Sequence, residues 1–202
     1  VLDGMEMNNV ETPFLDTEMP PQGFTRRSLL VAASIVPFAT HTDVLAGDFW
    51  SRPRALWLQR TTRHGVEEHR GIYFADGKLI WPEYARLCTI LRDVKADQAV
   101  QMSPVLIDIL CGIQGVAAAH GRNVPLMTTS GYRNPKTNAS IEGAARNSLH
   151  MQGRAWDGRL PGYSAKVLAD VAVYLRGGGV GLYVDRNFCH IDDGRLRSWS
   201  GR

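Results

Sequence analysis

Close cysteine pairs are missing from this 202-residue chain. Cys88, Cys111 and Cys189 stand far apart and are odd in number, so they form neither a disulfide framework nor a zinc site of paired thiols. Cys88 and Cys111 fall on apolar helical faces and read as small core hydrophobes. Cys189 beside His190 suggests a nucleophilic pair, but adjacent residues of a strand point to opposite faces, which separates them. A large charge of one sign is missing too. The formal net charge is +3 and the basic residues are scattered, which leaves no footprint for nucleic acid. No apolar run reaches the roughly 20 residues a membrane helix needs, and no internal repeat is visible. What remains, 44% hydrophobic and 21% charged, suits one globular domain with a substantial core, expected to be a monomer.

Organisation changes along the chain. Residues 1–24 are polar, contain Pro20-Pro21 and show no period, so they read as a disordered leader. Residues 25–46 carry Arg26-Arg27, then Leu29-Leu30 opening an apolar run to about Thr40, then Val44-Leu45-Ala46. Paired arginines, apolar core and small-residue exit are the parts of an export signal of the twin-arginine type, directed to the periplasm. Residues 47–202 form the folded domain. It opens with strand-forming residues from Arg54 to Thr61, and Ala75-Asp76-Gly77 predicts a hairpin. Pro82 starts a helix with Tyr84, Leu87, Cys88 and Leu91 inward. Ser103-Pro104 caps a second helix, to about His120, and Ser164 a third, ended by Gly177-Gly178-Gly179. Val124 to Thr129, Val180 to Val184 and Phe188 to Asp192 read as strands, and residues 134–147 as a loop. Helices with a small antiparallel sheet make the expected class α+β.

His150, Asp157 and His190 supply two imidazoles and one carboxylate, a set suited to a Zn²⁺ that keeps a fourth position for water. Gly153 allows a sharp turn between the first two. Spacing alone is a weak signal. Its surroundings are more specific: Ser130-Gly131-Tyr132-Arg133 before the pair, Ser148 two positions ahead of His150, Gly179-Val180-Gly181-Leu182-Tyr183 before His190, and Asp192 after it. In this order the segments resemble the zinc D-Ala-D-Ala carboxypeptidase and murein endopeptidase superfamily, over roughly residues 54 to 199.

The resemblance implies a zinc peptidase acting on peptidoglycan stem peptides, with His150, Asp157 and His190 as ligands. It implies that Arg133 points into the cleft, to pair with a substrate carboxylate or an oxyanion, and that Tyr132 and Ser148 shape the site or touch substrate. Asp192 shares a strand face with His190, and serves either as the base or as an acceptor that orients the ligand. Relatives place an acidic residue three before the last ligand, or a histidine two before it. Here those positions hold Asn187 and Phe188, which leaves Asp185 as the other candidate base. A carboxypeptidase trimming terminal D-Ala and a non-catalytic binding module on the same fold are the competing readings.

The paired arginines give the first test. Replacing Arg26 and Arg27 together by lysine should block export while the domain still folds, because a receptor reads the pair. Fractionation showing unchanged periplasmic delivery would remove the twin-arginine reading.

Overall fold

A computed structural model describes residues 52–201. The leader and the export signal expected over residues 1–46 lie outside the described residues. β1 (Arg54–Thr62) and β2 (Gly65–Ala75) form a long antiparallel hairpin, and β2 continues into β3 (Lys78–Leu79). The second turn places Asp76 at φ 52° and Gly77 at φ 74°. Two consecutive positive φ values match the right-handed twist of the flanking strands.

Each main helix starts where the sequence supplies a start. α1 (Trp81–Ile90) has Pro82 in its first turn, where a missing N–H costs nothing. The Ser103 hydroxyl caps α2 (Pro104–Ala119) by accepting from the Leu106 N–H. Ser164 does the same for α4 (Ala165–Leu175) through Val167. Between them lies α3 (Pro135–Ala139), capped by Asn134 accepting from the Thr137 N–H at 2.7 Å. This short helix sits inside the segment expected to be a loop. Its residues are too polar to show a helical period, and only the local cap reveals it.

The sheet is larger than expected. Among the described residues its eight strands run in the order β3-β2-β1-β4-β5-β7-β6-β8, with β4 at Leu126–Ser130, β5 at Ala155–Arg159, β6 at Gly179–Tyr183, β7 at Phe188–Asp192 and β8 at Arg197–Ser200. Parallel pairing of β1 with β4 joins the opening hairpin to the later strands, and β8 lies parallel to β6. The class is α+β, but the sheet is mixed rather than small and antiparallel. Strand alternation divides its two faces. Trp156, Val180, Leu182 and Ile191 are buried in the core, with Leu106, Leu110, Ile113, Leu168 and Ala172 of α2 and α4. Asp157, Gly181, His190 and Asp192 therefore belong to the opposite face. Among the described residues no helix is long and apolar enough to cross a membrane.

One buried cation ties three segments together. The Arg60 guanidinium donates to the carbonyls of Ile90 at 3.2 Å, Arg92 at 2.6 Å and Thr129 at 3.2 Å. It closes the C-terminal end of α1, where unpaired carbonyls collect, onto the end of β4. Arg60→Met keeps the stem's length but strands those carbonyls. It should cost about 3 kcal/mol in urea unfolding, and a loss under about 1 kcal/mol would contradict this role.

Candidate metal centre

Register brings the donors together. Asp157 on β5 pairs directly with His190 on β7, and His190 pairs with Gly181 on β6. Ser130 of β4 lies opposite Asp157, and Trp199 of β8 opposite Gly181. One row of cross-strand neighbours thus runs over five strands, with a carboxylate and an imidazole adjacent at its centre. His150 enters from outside the sheet on a 3-10 turn, Leu149–Gln152. The Ser148 hydroxyl caps that turn by accepting from the His150 N–H at 3.3 Å. Gly153 ends it at φ 67°, the left-handed value a glycine takes without strain.

The three inward atoms are His150 Nε2, Asp157 Oδ1 and His190 Nδ1. They are separated by 3.2 Å between His150 and Asp157, 3.2 Å between the two imidazoles, and 2.8 Å between His190 and Asp157. Donors at roughly 2.0–2.1 Å from a tetrahedral ion stand about 3.3 Å from one another, so the spacing fits. The outer ring atoms fix which nitrogen carries the proton. His150 Nδ1 lies 2.6 Å from the Gly131 carbonyl, an acceptor only, and so donates there. His190 Nε2 lies 2.9 Å from Asp192 Oδ2 and donates to it. In its neutral form each ring would turn a lone pair toward the other ring and toward a carboxylate, a donor set that a divalent cation satisfies. The chemistry and spacing of these residues therefore fit such an ion.

Charge in the cluster follows the same contacts. Burial opposes the ionised Asp157, but His150 and His190 outweigh it and hold its pKa below the usual carboxylate range. Burial likewise opposes charge on His190, while hydrogen bonds to Asp157 and Asp192 prevail and raise its pKa. Asp192 is fully buried, yet His190, Arg197 and the Gly194 N–H keep it ionised and its pKa depressed. Its Oδ1 accepts from Gly179 N at 3.2 Å, Gly194 N at 2.9 Å and Arg197 Nη1 at 3.0 Å. Its Oδ2 accepts from Arg197 Nη2 at 2.6 Å as well as from His190. The carboxylate has its hydrogen-bonding capacity filled, on the far side of the His190 ring from the other donors. That geometry suits orienting His190 better than taking a proton in the cleft. Asp185 is exposed on the turn between β6 and β7.

Two glycines make this support possible. A Cβ on Gly179 would stand 2.1 Å from Arg197 Nη1, and one on Gly181 would stand 2.6 Å from the Trp199 ring. Glycines two apart on a strand clear one face, and along it Arg197 reaches Asp192 while Trp199 comes to 5.3 Å, centre to centre, from His190. Arg197 and Trp199 were not expected to have these functions from sequence, although their spacing of two mirrors that of the glycines.

The remaining expected residues are placed as follows. Arg133 is held by donation from Nε to Ser130 Oγ at 2.8 Å and from Nη2 to Asp157 Oδ2, while its Nη1 has no partner among the described residues. It therefore grips the outer oxygen of the donor carboxylate. Tyr132 is largely buried in the core, and its N–H donates to Leu91 O at 2.7 Å. Ser148 is buried as a cap. Asn187 accepts from the Ala165 N–H and so serves the start of α4. Cys189 points away from the cluster, its thiol 3.0 Å from Ala165 O. Beside the donors opens a cleft of about 430 Å³, lined by Arg133, Asp157, Tyr132, Lys95, Arg159 and Phe188 among others.

With this geometry in hand, similarity to known proteins becomes specific. The family model Peptidase_M15_2, described as Peptidoglycan L,D-endopeptidase MepK, matches residues 50–199. The Peptidoglycan L,D-endopeptidase MepK of Escherichia coli (strain K12) is 33% identical over 178 residues, which cover 86% of this chain and 96% of that protein. The protein of the same name from Shigella flexneri matches to the same extent. The Probable peptidoglycan L,D-endopeptidase MepK of Haemophilus influenzae is 36% identical over 120 residues, covering 57% of this chain and 63% of that one.

A pH titration of metal affinity tests the electrostatics. Protonated His190 offers no lone pair at Nδ1, so affinity for Zn²⁺ should fall with pH, starting above the ordinary histidine range near 6.5. Asp192→Asn removes one cause of the raised pKa. The fall should then begin at lower pH, and affinity at high pH should weaken by about 10–100-fold. Superimposable curves for the two proteins, measured by chelator competition, would contradict the support role of Asp192.

Proposed function

The chain belongs to the Peptidase_M15_2 family, and from that premise we propose that it is a zinc-dependent peptidoglycan endopeptidase cutting peptide crosslinks, with His150, Asp157 and His190 as its metal ligands. The observation that carries the reading is the convergence of these three donors, His150 and Asp157 buried, with Asp157 also lining an adjoining cleft. Peptidoglycan lies outside the cytoplasmic membrane, so the site works there. Delivery by the twin-arginine signal over residues 25–46 is part of the same proposal.

Zinc, when bound, supplies a Lewis acid and lowers the pKa of its water to about 7, which provides a nucleophile at neutral pH. The chain's own residues do the rest. His150 and His190 present unprotonated nitrogens because Gly131 O and Asp192 hold their other N–H groups. Arg133 has two tasks. Nε and Nη2 fix Ser130 and Asp157, and Nη1 remains to donate to a substrate carbonyl as negative charge develops on its oxygen. Asp192 orients His190 through the ring's Nε2. Tyr132 and Ser148 build the loop and turn that carry Arg133 and His150, through Leu91 O and the His150 N–H.

Digestion of purified crosslinked muropeptides, read by product mass, is the test. The zinc-loaded domain should convert dimers to monomers, and His150→Ala should lose zinc and activity together. Arg133→Lys should lower kcat/KM by about 10²–10³, since a point charge cannot hold Asp157 and donate to substrate at once. Dimers left intact by the zinc-loaded native domain would refute the peptidase reading.

A further inference from the structure

The cleft beside the donors is electrostatically one-sided. Lys95, Arg159 and Arg186 line it together with Arg133 and the buried Arg60, against Asp93 and Asp157. Both carboxylates are already engaged. Asp157 is held by the imidazoles and Arg133. Asp93 accepts from the N–H groups of Asn134 at 2.9 Å, Lys95 at 3.0 Å and Ala96 at 3.2 Å. Asp93 keeps its charge and offsets Arg60 beside it, and neither carboxylate is paired with Arg159.

The cations differ in their commitments. Arg186 sits over the stacked rings of Tyr183 and Phe188, at 5.2 Å and 5.4 Å from their centres. Lys95 Nζ reaches Ser140 Oγ at 3.4 Å. The Arg159 side chain has no hydrogen bond or ion pair among the described residues, and it is exposed. An exposed arginine is ordinarily just solvated. Position makes this one different. Arg159 follows Asp157 by two on β5, so both side chains leave the same face, with about 7 Å between their Cα atoms. Gly158 between them fixes the strand: a Cβ there would lie 2.2 Å from the Trp156 ring and 2.4 Å from Met127 O. The backbone that launches Arg159 is thus packed as tightly as the one that launches the donor. About 7 Å is also roughly two residues' rise in an extended peptide, so the reach of Arg159 falls on a residue flanking a bond positioned at the donors.

We propose that Arg159 is a specificity-determining residue, binding a free carboxylate on the substrate residue that flanks the scissile peptide bond. This rests on the peptidase reading above and adds the chemical feature that the cleft selects. The guanidinium fork takes a carboxylate in two parallel hydrogen bonds, and a carboxamide offers only one acceptor oxygen and no charge.

The test uses two synthetic crosslinked stem-peptide dimers, identical except that the flanking carboxylates are free in one and amidated in the other. Native zinc-loaded enzyme should cleave the acid with a kcat/KM about 10- to 100-fold above the amide, mostly through KM. Arg159→Gln should bring the acid down to the level of the amide, with zinc content and thermal unfolding unchanged, and Arg159→Lys should restore part of the preference. Calorimetric binding of both dimers to zinc-stripped native and variant protein gives the same comparison without turnover. Equal cleavage and equal binding of acid and amide by the native protein would overturn the proposal and leave the peptidase reading standing, as would a preference that survives in Arg159→Gln. If the native enzyme cleaves neither dimer, the peptidase reading fails, and the binding comparison alone then decides the role of Arg159.

Discussion

Asp157 and His190 stand directly opposite one another on neighbouring antiparallel strands, and the rest of the site depends on that pairing. A slip of one residue in the β5–β7 register would turn one of the two side chains into the core. The register is held from the core side by Trp156 and Ile191, both almost wholly buried, which pair next to Asp157 and His190 in the same ladder. Hydrophobic packing on one face of the sheet thereby sets a carboxylate–imidazole distance of 2.8 Å on the other. His150 needs a separate device, because it comes from a turn. Its ring is held at Gly131 O, and the Arg133 N–H donates back to His150 O at 3.2 Å, so the loop bearing Arg133 and the turn bearing His150 are laced to each other.

Around the donors lies a shell of partly or wholly buried groups that hold one another, with Arg133 Nη1 left facing the cleft. Arg197 holds Asp192, and Asp192 holds His190; Ser130 accepts from Arg133, and Arg133 holds Asp157. A buried carboxylate such as Asp192 needs its partners, since a half-paired buried charge costs more than an apolar replacement. The partners of Asp192 rest on Gly179 and Gly181, whose bare backbone leaves the space through which β8 reaches the centre. The same glycines explain why β8 lies at the sheet edge next to β6, parallel to it, although its four residues carry little apolar content of their own.

Local signals in the sequence were legible and nonlocal ones were not. Ser103 and Ser164 cap the helices they precede, and Asp76-Gly77 forms the anticipated turn, because each depends on a handful of adjacent residues. β5 escaped notice since Ala155–Arg159 is nearly all buried and contains a glycine, which erases the polar–apolar alternation that marks a strand. β8 escaped notice because its strand character comes from pairing with β6. The relative placing of His150, Asp157 and His190 was anticipated through motif resemblance; their contact across two strands and a turn is a product of topology. The spacing of Asp192 from His190 revealed their shared face, but not the Arg197 fork that fills the carboxylate. Arg133 was read as facing substrate alone, since nothing in its surrounding motif shows that Asp157 would lie within its grasp.

The central claim is that His150 Nε2, Asp157 Oδ1 and His190 Nδ1 hold a single divalent metal ion. Anomalous diffraction from crystals of the zinc-loaded domain, recorded on either side of the zinc edge, measures this directly. The account predicts one peak per chain, about 2.0–2.2 Å from each of the three atoms, with Asp192 bound to His190 and Arg197 and away from the metal. A peak coordinated by Asp192, or no peak among the three donors in crystals that contain stoichiometric zinc elsewhere, would contradict it.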